Sequence, residues 1–285
     1  MLITGIETML SSGHSPRPAR AAEHGVGTAP LRAEPLYPDL RDKRVLVTGG
    51  ATGIGAAITA AFARQGCRVA FVDVLEEEGL ALAAALAPEV DWKPAFLPCD
   101  ISRTADLDAV FLAAREAHGD VQILVNNAAN DARHRLEDLS EELWDARMAV
   151  NLRAAIFASR LAADEMRRAG GGSILNFGSI AWKLKMPDMI AYTTAKAALL
   201  GATRTLARAL GAGNVRVNLI TPGWVMTERQ RLMWLTPEAE AEIDSGQCLK
   251  LRVQPDHIAA MALFLGSDAS IACTAQEFVV DAGWS

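Results

Sequence analysis

The chain has 285 residues, enough for one large α/β domain, and 51% of them are hydrophobic while only 6% are aromatic. Its formal net charge of −6, without a long basic block, argues against nucleic acid and anionic membranes as partners. The four cysteines are far apart and form no CxxC pair, so they predict neither a metal site nor a disulfide framework and favour a reducing, cytoplasmic setting. No stretch of the sequence approaches the roughly 20 apolar residues that a membrane-spanning helix needs.

The start of the chain differs in composition from the rest. The segment SSGHSPRPARAAEHGVGTAPLRAEP is rich in Pro, Gly, Ser and Ala and shows no periodicity, so residues 1–36 are predicted to be a flexible extension. The preceding MLITGIETML lacks a basic start and a continuous apolar run, which is unlike a secretory signal. Residues 37–285 are predicted to form one domain.

From Lys43 onwards, short β-branched runs alternate with longer segments rich in Ala and Leu. Seven runs are predicted strands: RVLVTG, RVAFVD, PAFLPCD, QILVNNA, SILNFGS, VRVNLI and EFVV. A helix-length stretch separates each run from the next, which indicates βαβ units and a parallel sheet with right-handed crossovers.

The first predicted strand leads into a glycine-rich turn. Gly49, Gly53 and Gly55 precede a predicted helix, where missing side chains let backbone N–H groups approach a pyrophosphate. The alternative is a turn without a ligand, but the second strand ends in Asp73, whose carboxylate can accept hydrogen bonds from the adenosine ribose. The same carboxylate would repel a 2′-phosphate, and no Arg or Lys stands in the turn or beside Asp73. NAD is therefore favoured over NADP.

Polar residues also follow the third and fourth predicted strands. Asp100 closes LPCD, where it can hydrogen-bond an adenine ring, and NNAAN follows the fourth strand, where loop capping is the alternative role. Ligands of doubly wound sheets bind beyond these carboxyl ends. Asn151 lies inside a long predicted helix, EELWDARMAVNLRAAIFASRLAADEM, although Asn has poor helix propensity. On its own, it is expected to bond its neighbours.

Tyr192 and Lys196 lie four residues apart in AYTTAKAALLGATRTLARAL, which predicts a helix with both side chains on one face. An ammonium on that face stabilises a phenolate and lowers the tyrosine pKa from about 10. Tyr192 is thus a candidate general base. The spacing is also common by chance, and the alternative is a solvated surface pair.

Together these motifs resemble the short-chain dehydrogenase/reductase family. The resemblance covers residues 43–285 and rests on TGxxxGIG, Asp73, Asp100, NNA, Asn151, Ser179, YxxxK and the PG pair at Pro222 and Gly223. Ala129 departs from it, because the family usually has Gly after NNA, and we expect a local adjustment there. The resemblance implies a single Rossmann-type, doubly wound domain with seven parallel strands and helices on both faces. It also implies a homotetramer built from the helices that hold Asn151 and Tyr192.

The resemblance implies a role for each motif residue. Tyr192 would be the general base, Lys196 would lower its pKa and bond the nicotinamide ribose, Ser179 would orient the substrate oxygen, and Asn151 would hold a relay water. Thr227 would bond the nicotinamide carboxamide. The predicted NAD-binding set is Gly49, Thr52, Gly53, Ile54, Gly55, Asp73, Asp100, Ile101, Asn127, Tyr192, Lys196, Pro222, Val225 and Thr227.

Shorter motifs narrow the expected substrate. NNAANDARHRLED, NFGSIAW, PGWVMTERQ, GQCLK and DAGW resemble the bacterial NAD-dependent aldose 1-dehydrogenases, which implies oxidation of a galactose- or xylose-type pyranose to its lactone. The predicted substrate residues are Asn130, Ser179, Trp182, Tyr192 and Trp224. His134, Lys183 and Arg229 are further candidates, each equally explained as a surface residue. Residues 224–252 are predicted to form a substrate flap.

Two alternatives remain open from the sequence. One is an NAD-dependent dehydrogenase of another secondary alcohol, such as a polyol or a 3-hydroxyacyl compound, because this fold does not decide the substrate. The other is a non-catalytic NAD-binding regulator, which would not need the base and its relay.

Overall fold

Seven strands form one parallel sheet in the computed structural model, which describes residues 35–285. The extension predicted for residues 1–36 therefore falls almost wholly outside the described residues. The strands are β1 (Arg44–Thr48), β2 (Arg68–Asp73), β3 (Ala95–Pro98), β4 (Ile123–Asn126), β5 (Gly172–Phe177), β6 (Val215–Pro222) and β7 (Glu277–Val280). Their order across the sheet is β3-β2-β1-β4-β5-β6-β7. The predicted doubly wound fold is confirmed.

Helices cover both faces of this sheet. They are α1 (Gly53–Arg64), α2 (Glu76–Leu86), α3 (Leu107–His118), α4 (Glu141–Met148), α5 (Ala154–Arg168), α6 (Ile190–Leu210), α7 (Glu228–Met233), α8 (Pro237–Gly246) and α9 (Pro255–Gly266). Alternate side chains of β1 enter two separate buried clusters: Val45 and Val47 pack with α1 and α9, and Leu46 packs with α3 and α5. This follows from the two-residue period of a strand, and it explains why the strands read as continuous apolar runs.

The helix predicted through Asn151 is not continuous. A π-helical turn, Ala149–Arg153, separates α4 from α5 and holds Asn151 at its centre. Such wide turns occur mostly as short interruptions of α-helices, frequently at functional sites. The turn is bonded to the loop after β4, as described below.

The topology opens a crevice at one edge of the sheet. From β1 the chain builds outwards through β2 and β3, and then returns to place β4 on the other side of β1, with Thr48 opposite Asn126. At such a switch point the loops after the two strands separate and leave room for a ligand. Within residues 35–285, no helix has the length and apolar character that crossing a membrane requires.

Candidate active site

A cavity of about 1450 Å³ lies at this edge of the sheet, beyond the carboxyl ends of the strands. One end is lined by the glycine turn with Asp73 and Asp100, and the other by Ser179 and Tyr192. Its volume exceeds what a small substrate alone would need. The cavity therefore has room for a dinucleotide and a substrate side by side.

The glycine turn is shaped so that its backbone comes close to the cavity. Gly49 and Gly53 have φ angles of +64° and +56°, in the left-handed region that favours glycine. A Cβ at Gly55 would stand 1.8 Å from the carbonyl oxygen of Gly49, which no side chain can tolerate. Strand, turn and helix are thus packed too closely for side chains, and this is the cradle that a pyrophosphate needs. Thr52, Ile54 and Ile101 also line the cavity, as does each of these glycines.

Asp73 is held in place at the end of β2. Its Oδ2 accepts a hydrogen bond of 3.0 Å from the N–H of Ala51, and its Oδ1 accepts bonds of 2.8 Å and 3.3 Å from Val74 and Leu75. The carboxylate is therefore oriented by the turn that would hold the pyrophosphate. Asp100 is oriented in a similar way, because its Oδ1 accepts a 3.0 Å bond from Ser102.

Asn127 ties β4 to the turn after β1. Its Nδ2 donates to the carbonyl oxygens of Thr48 (3.1 Å) and Gly49 (2.8 Å), and its own N–H donates to Thr48 Oγ1 (3.1 Å). The side-chain nitrogen is thus engaged within the protein. Asn127 lines the cavity and shapes the cofactor cradle by holding Gly49 in its position.

Ser179 and Tyr192 meet at the far end of the cavity. Ser179 follows β5 and caps a short 3₁₀ turn, Ile180–Trp182, where its Oγ accepts a 3.1 Å bond from Ala181. Tyr192 lies in the first turn of α6, and the Ser179 side chain is near enough to its phenol to lower its pKa. A hydroxyl placed between these two groups would have one partner to donate a hydrogen bond and one to take its proton.

Lys196 lies one turn further along α6 and is only 2% exposed. Its Nζ is 5.7 Å from the centre of the Tyr192 ring and donates a 2.8 Å hydrogen bond to the carbonyl of Phe177. Burial lowers the pKa of Lys196 to about 8. Burial also raises the pKa of Tyr192 to about 12, although the Ser179 side chain acts in the opposite direction. The lowered tyrosine pKa predicted from the sequence is therefore not present here, because desolvation exceeds what the protein's own groups supply.

Asn151 is buried within the π-helical turn and is not one of the residues that line the cavity. Its Oδ1 accepts a 2.9 Å bond from the N–H of Asn130, and its Nδ2 donates to the carbonyl oxygens of Asn130 (3.1 Å) and Arg147 (3.0 Å). Both N–H groups of the side-chain amide and one lone pair of its oxygen are thus used in holding the loop after β4. A relay water held by the main chain of Asn151 would leave these bonds intact.

The predicted substrate residues separate into two groups. Asn130, Trp224 and Arg229 line the cavity, and the Trp224 indole N–H is buried without a hydrogen-bond partner among residues 35–285. Trp182 is not among the described lining residues, and neither are its neighbour Lys183 and His134. Lys183 instead forms an ion pair of 3.0 Å with Glu277 of β7, and His134 Nε2 accepts a long bond of 3.5 Å from Ala191.

Several lining residues were missed by the sequence interpretation. Asp131, Gln230, Trp234 and Trp284 line the substrate end of the cavity, and Arg103 lines the end near Asp100. Asp131 directly follows the NNAAN motif, and Trp284 is the last residue of the DAGW motif. Both motifs were recognised in the sequence, so both residues could have been included in the predicted site. Gln230 and Trp234 lie on or just after α7, and only the folded position of that helix brings them to the cavity.

The segment between β6 and α9 stands over this end of the cavity. Its two ends meet where Val225 pairs with Val253, and Met226 donates a 2.8 Å hydrogen bond to the carbonyl of Val253. Between them lie α7 and α8, and Thr227 caps α7 by accepting a 3.2 Å bond from Gln230. Pro222, Val225 and Thr227 all line the cavity.

The fold and the site define a nicotinamide-dependent dehydrogenase. The family model described as enoyl-(acyl carrier protein) reductase matches residues 49–285. D-xylose 1-dehydrogenase from Caulobacter vibrioides is 47% identical over 249 residues, covering 87% of this chain and 98% of the relative. A "Probable galactose dehydrogenase" from Rhizobium meliloti is 50% identical over 250 residues, covering 87% and 96%. The chain belongs to the short-chain dehydrogenase/reductase family.

A solved structure supports the same assignment. A 7 alpha-hydroxysteroid dehydrogenase complexed with NADH and 7-oxo glycochenodeoxycholic acid superposes with a TM-score of 0.82 at 30% identity, covering 87% of this chain and 96% of that one. The cradle in this chain, where glycines leave no room for side chains and Asp73 is fixed beside them, fits such a cofactor.

Proposed function

We propose that this enzyme oxidises the anomeric carbon of an aldose pyranose, of the D-galactose or D-xylose type, to its lactone with NAD as the hydride acceptor. The observation that carries the proposal is the approach of Ser179 and Tyr192 to one another at the end of a cavity whose other end is the dinucleotide cradle. The similarity to the xylose and galactose dehydrogenases named above supports the choice of an aldose.

The residues divide the chemistry between them. When bound, an oxidised nicotinamide would supply the hydride acceptor and a positive charge. Ser179 donates a hydrogen bond to the anomeric oxygen, and Tyr192 takes the hydroxyl proton as the carbon loses its hydrogen. Lys196 holds a second positive charge 5.7 Å from the phenol ring, which favours the phenolate against the cost of burial. The product is the lactone, with the proton on Tyr192.

NAD, rather than NADP, is supported by the adenosine end of the cavity. Asp73 is fixed by three backbone N–H groups in a position to accept hydrogen bonds from ribose hydroxyls. A 2′-phosphate at that place would meet its negative charge. Among the cationic residues that line the cavity, Arg103 is the nearest to Asp73 in sequence. Its guanidinium forms an ion pair of 2.5 Å with Asp106, so its charge is already partly neutralised.

The substrate end has the character of a sugar site. The indoles of Trp224 and Trp284 offer flat faces for the C–H surface of a pyranose, and Asn130, Asp131 and Gln230 offer polar partners for its hydroxyls. The residues predicted as a flap, 224–252, supply two of these five groups. One observation favours a second candidate, because Leu184, Met186 and Met189 also line the cavity and would suit a larger, more apolar secondary alcohol.

The experiment is a reduction assay over a panel of substrates. Purified enzyme with NAD or NADP is given D-galactose, D-xylose, L-arabinose, polyols and a 3-hydroxyacyl compound, and cofactor reduction is followed by absorbance while NMR identifies the product. We expect reduction of NAD with an aldose and formation of its lactone. Turnover of only a polyol or a hydroxyacyl compound would reject the aldose. Cofactor binding without turnover of any alcohol would favour the regulator.

We propose further that the protein is a cytoplasmic homotetramer. Phe157 on α5 and Ile190 on α6 are 40% and 44% exposed, and apolar side chains of this size on two neighbouring helices suit a subunit interface. The four cysteines, all free, suit a reducing compartment. Light scattering at several concentrations tests the assembly, and a monomer would refute it.

A further inference from the structure

Asp131 joins the loop after β4 to the flap. Its Oδ1 accepts a 3.1 Å hydrogen bond from Arg229 Nη2, and its Oδ2 accepts a 2.9 Å bond from Gln230 Nε2. Both partners belong to α7, roughly a hundred positions later in the chain. A second contact lies beside the first, because the Arg133 guanidinium sits 4.2 Å from the centre of the Trp234 ring. The loop and the flap are therefore connected at two points along the mouth of the cavity.

The backbone on the other side of Asp131 is equally fixed. The Asn151 amide bonds both the N–H and the carbonyl of Asn130, and Asn130 Oδ1 accepts a 3.1 Å bond from the N–H of Ala132. The backbone on both sides of Asp131 is thus fixed by hydrogen bonds, and its carboxylate is hydrogen-bonded to α7. Little entropy is left to be lost when a ligand binds such a group, which is the condition for selective recognition.

The carboxylate retains unused acceptor capacity. An ionised carboxylate offers about four lone-pair positions, and the protein fills two of those on Asp131. Asp131 lines the cavity at the same end as Ser179 and Tyr192, and its negative charge raises the pKa values of both Tyr192 and Lys196. The carboxylate therefore faces the same cavity as the reacting groups, where one bound pyranose can contact both.

We propose that Asp131 is a specificity-determining residue that accepts a hydrogen bond from a ring hydroxyl of the sugar away from the reacting carbon. Arg229 and Gln230 are positioning residues that hold the carboxylate for this contact through the flap. The inference rests on the proposed function, because it takes an aldose to be the substrate. It adds the group that distinguishes one arrangement of sugar hydroxyls from another.

The test pairs a protein change with a substrate change. The accepted aldose and its monodeoxy analogues, each lacking one hydroxyl, are assayed with the wild-type enzyme and with Asp131→Asn. In the wild type, loss of the contacting hydroxyl should lower kcat/KM about 10- to 100-fold, since a hydrogen-bonding site is left without its partner. In Asp131→Asn, kcat/KM for the parent sugar should fall by about the same factor. Removing the same hydroxyl from the sugar should then lower kcat/KM of this variant by less than about 3-fold. Asp138→Asn, a change at an exposed position that is seven residues further along the chain, is the matched control and should keep the wild-type pattern.

The outcomes separate this inference from the proposed function. Equal losses for every deoxy sugar in the wild type and in Asp131→Asn would show that Asp131 contacts no hydroxyl, and the inference would be wrong while the aldose activity stood. A wild-type enzyme that reduces NAD with no aldose would refute the proposed function and the inference with it. NADH binding, measured by fluorescence titration, should be unchanged in Asp131→Asn. If that variant does not fold, Gln230→Ala can replace it in the same comparison of two proteins with two sugars. Its kcat/KM for the parent sugar should be about 3- to 10-fold below that of the wild type.

Discussion

Lys196 donates a 2.8 Å hydrogen bond to the carbonyl of Phe177, the last residue of β5. A nearly buried ammonium is thus held by one carbonyl oxygen, and an ammonium has three N–H groups to satisfy. Its burial costs stability, which is why its pKa is lowered to about 8. This destabilising ammonium lies where its positive charge favours the phenolate of Tyr192. Catalysis and stability should therefore respond to Lys196 in opposite directions.

Lys196→Met tests that opposition. Met fills a similar volume without a charge, so at neutral pH the free energy of unfolding should stay equal or rise by about 1–4 kcal/mol. Turnover should fall at least about 100-fold, because the base loses its stabilising charge. Urea unfolding and the rate assay measure the two effects. Lys93→Met, at an exposed position, is the control and should change neither.

The same variant carries a prediction on pH. Between about 8 and the ordinary value of 10.5, the folded protein has released the Lys196 proton while the unfolded chain still binds it. Stability of the wild type relative to Lys196→Met should therefore rise with pH across this window, by about 3 kcal/mol. Urea unfolding of both proteins at about pH 7 and about pH 10 measures this rise. A difference that is constant with pH would contradict the buried ammonium.

Tyr192→Phe removes the proposed base and leaves the ring in place. Aldose oxidation should become undetectable, while NADH titration should give an affinity within about 3-fold of the wild type. In the wild type, the pKa of Tyr192 is raised to about 12, so kcat/KM for oxidation should rise with pH as the phenolate fraction grows. Loss of cofactor binding in Tyr192→Phe would instead indicate that the phenol supports the cradle.

The strands and the site motifs were predictable because each depends on local pattern. The run predicted for β2 matches the observed Arg68–Asp73, since a buried parallel strand is a continuous apolar run. The run predicted for β7 matches Glu277–Val280, at the partly exposed edge of the sheet. The two contacts of Asp131 were not predictable, because they join residues far apart in sequence. The π-helical turn at Asn151 was not predictable either, because it depends on a bond to the Asn130 backbone and not on helix propensity.

Charge at Asp73 should control the choice of cofactor. Asp73→Ser removes the ribose acceptor and should lower kcat/KM with NAD about 10- to 100-fold. Adding Val74→Arg, at a position that lines the cavity, supplies a guanidinium for a 2′-phosphate. The double variant should then prefer NADP. Val74→Arg alone is the matched control, and it should gain little with NADP because Asp73 still repels the phosphate.

Glu165 provides a stability test far from the cavity. It is 4% exposed, its Oε2 accepts a 2.7 Å bond from the N–H of Val121, and desolvation raises its pKa above the ordinary 4.5. Just above that value the folded protein binds more protons than the unfolded chain, so this residue's contribution to stability falls as pH rises. The ionised form is therefore unfavourable at neutral pH. Arg115 and Arg168 approach it only to 3.7 Å and 3.9 Å, which compensates weakly.

Glu165→Gln should be as stable as the wild type or more stable at about pH 7, by up to about 1 kcal/mol, because the amide oxygen still accepts from Val121. Glu165→Ala should lose about 1–3 kcal/mol, because it leaves that N–H buried without an acceptor. Any advantage of the glutamine should disappear below pH 4.5, where the wild-type carboxyl is protonated. Urea unfolding of the two variants beside Glu116→Gln, an exposed control on the same side of the sheet, measures each difference. A glutamine variant as unstable as the alanine one would show that the ion pairs with Arg115 and Arg168 outweigh the cost of burying the charge.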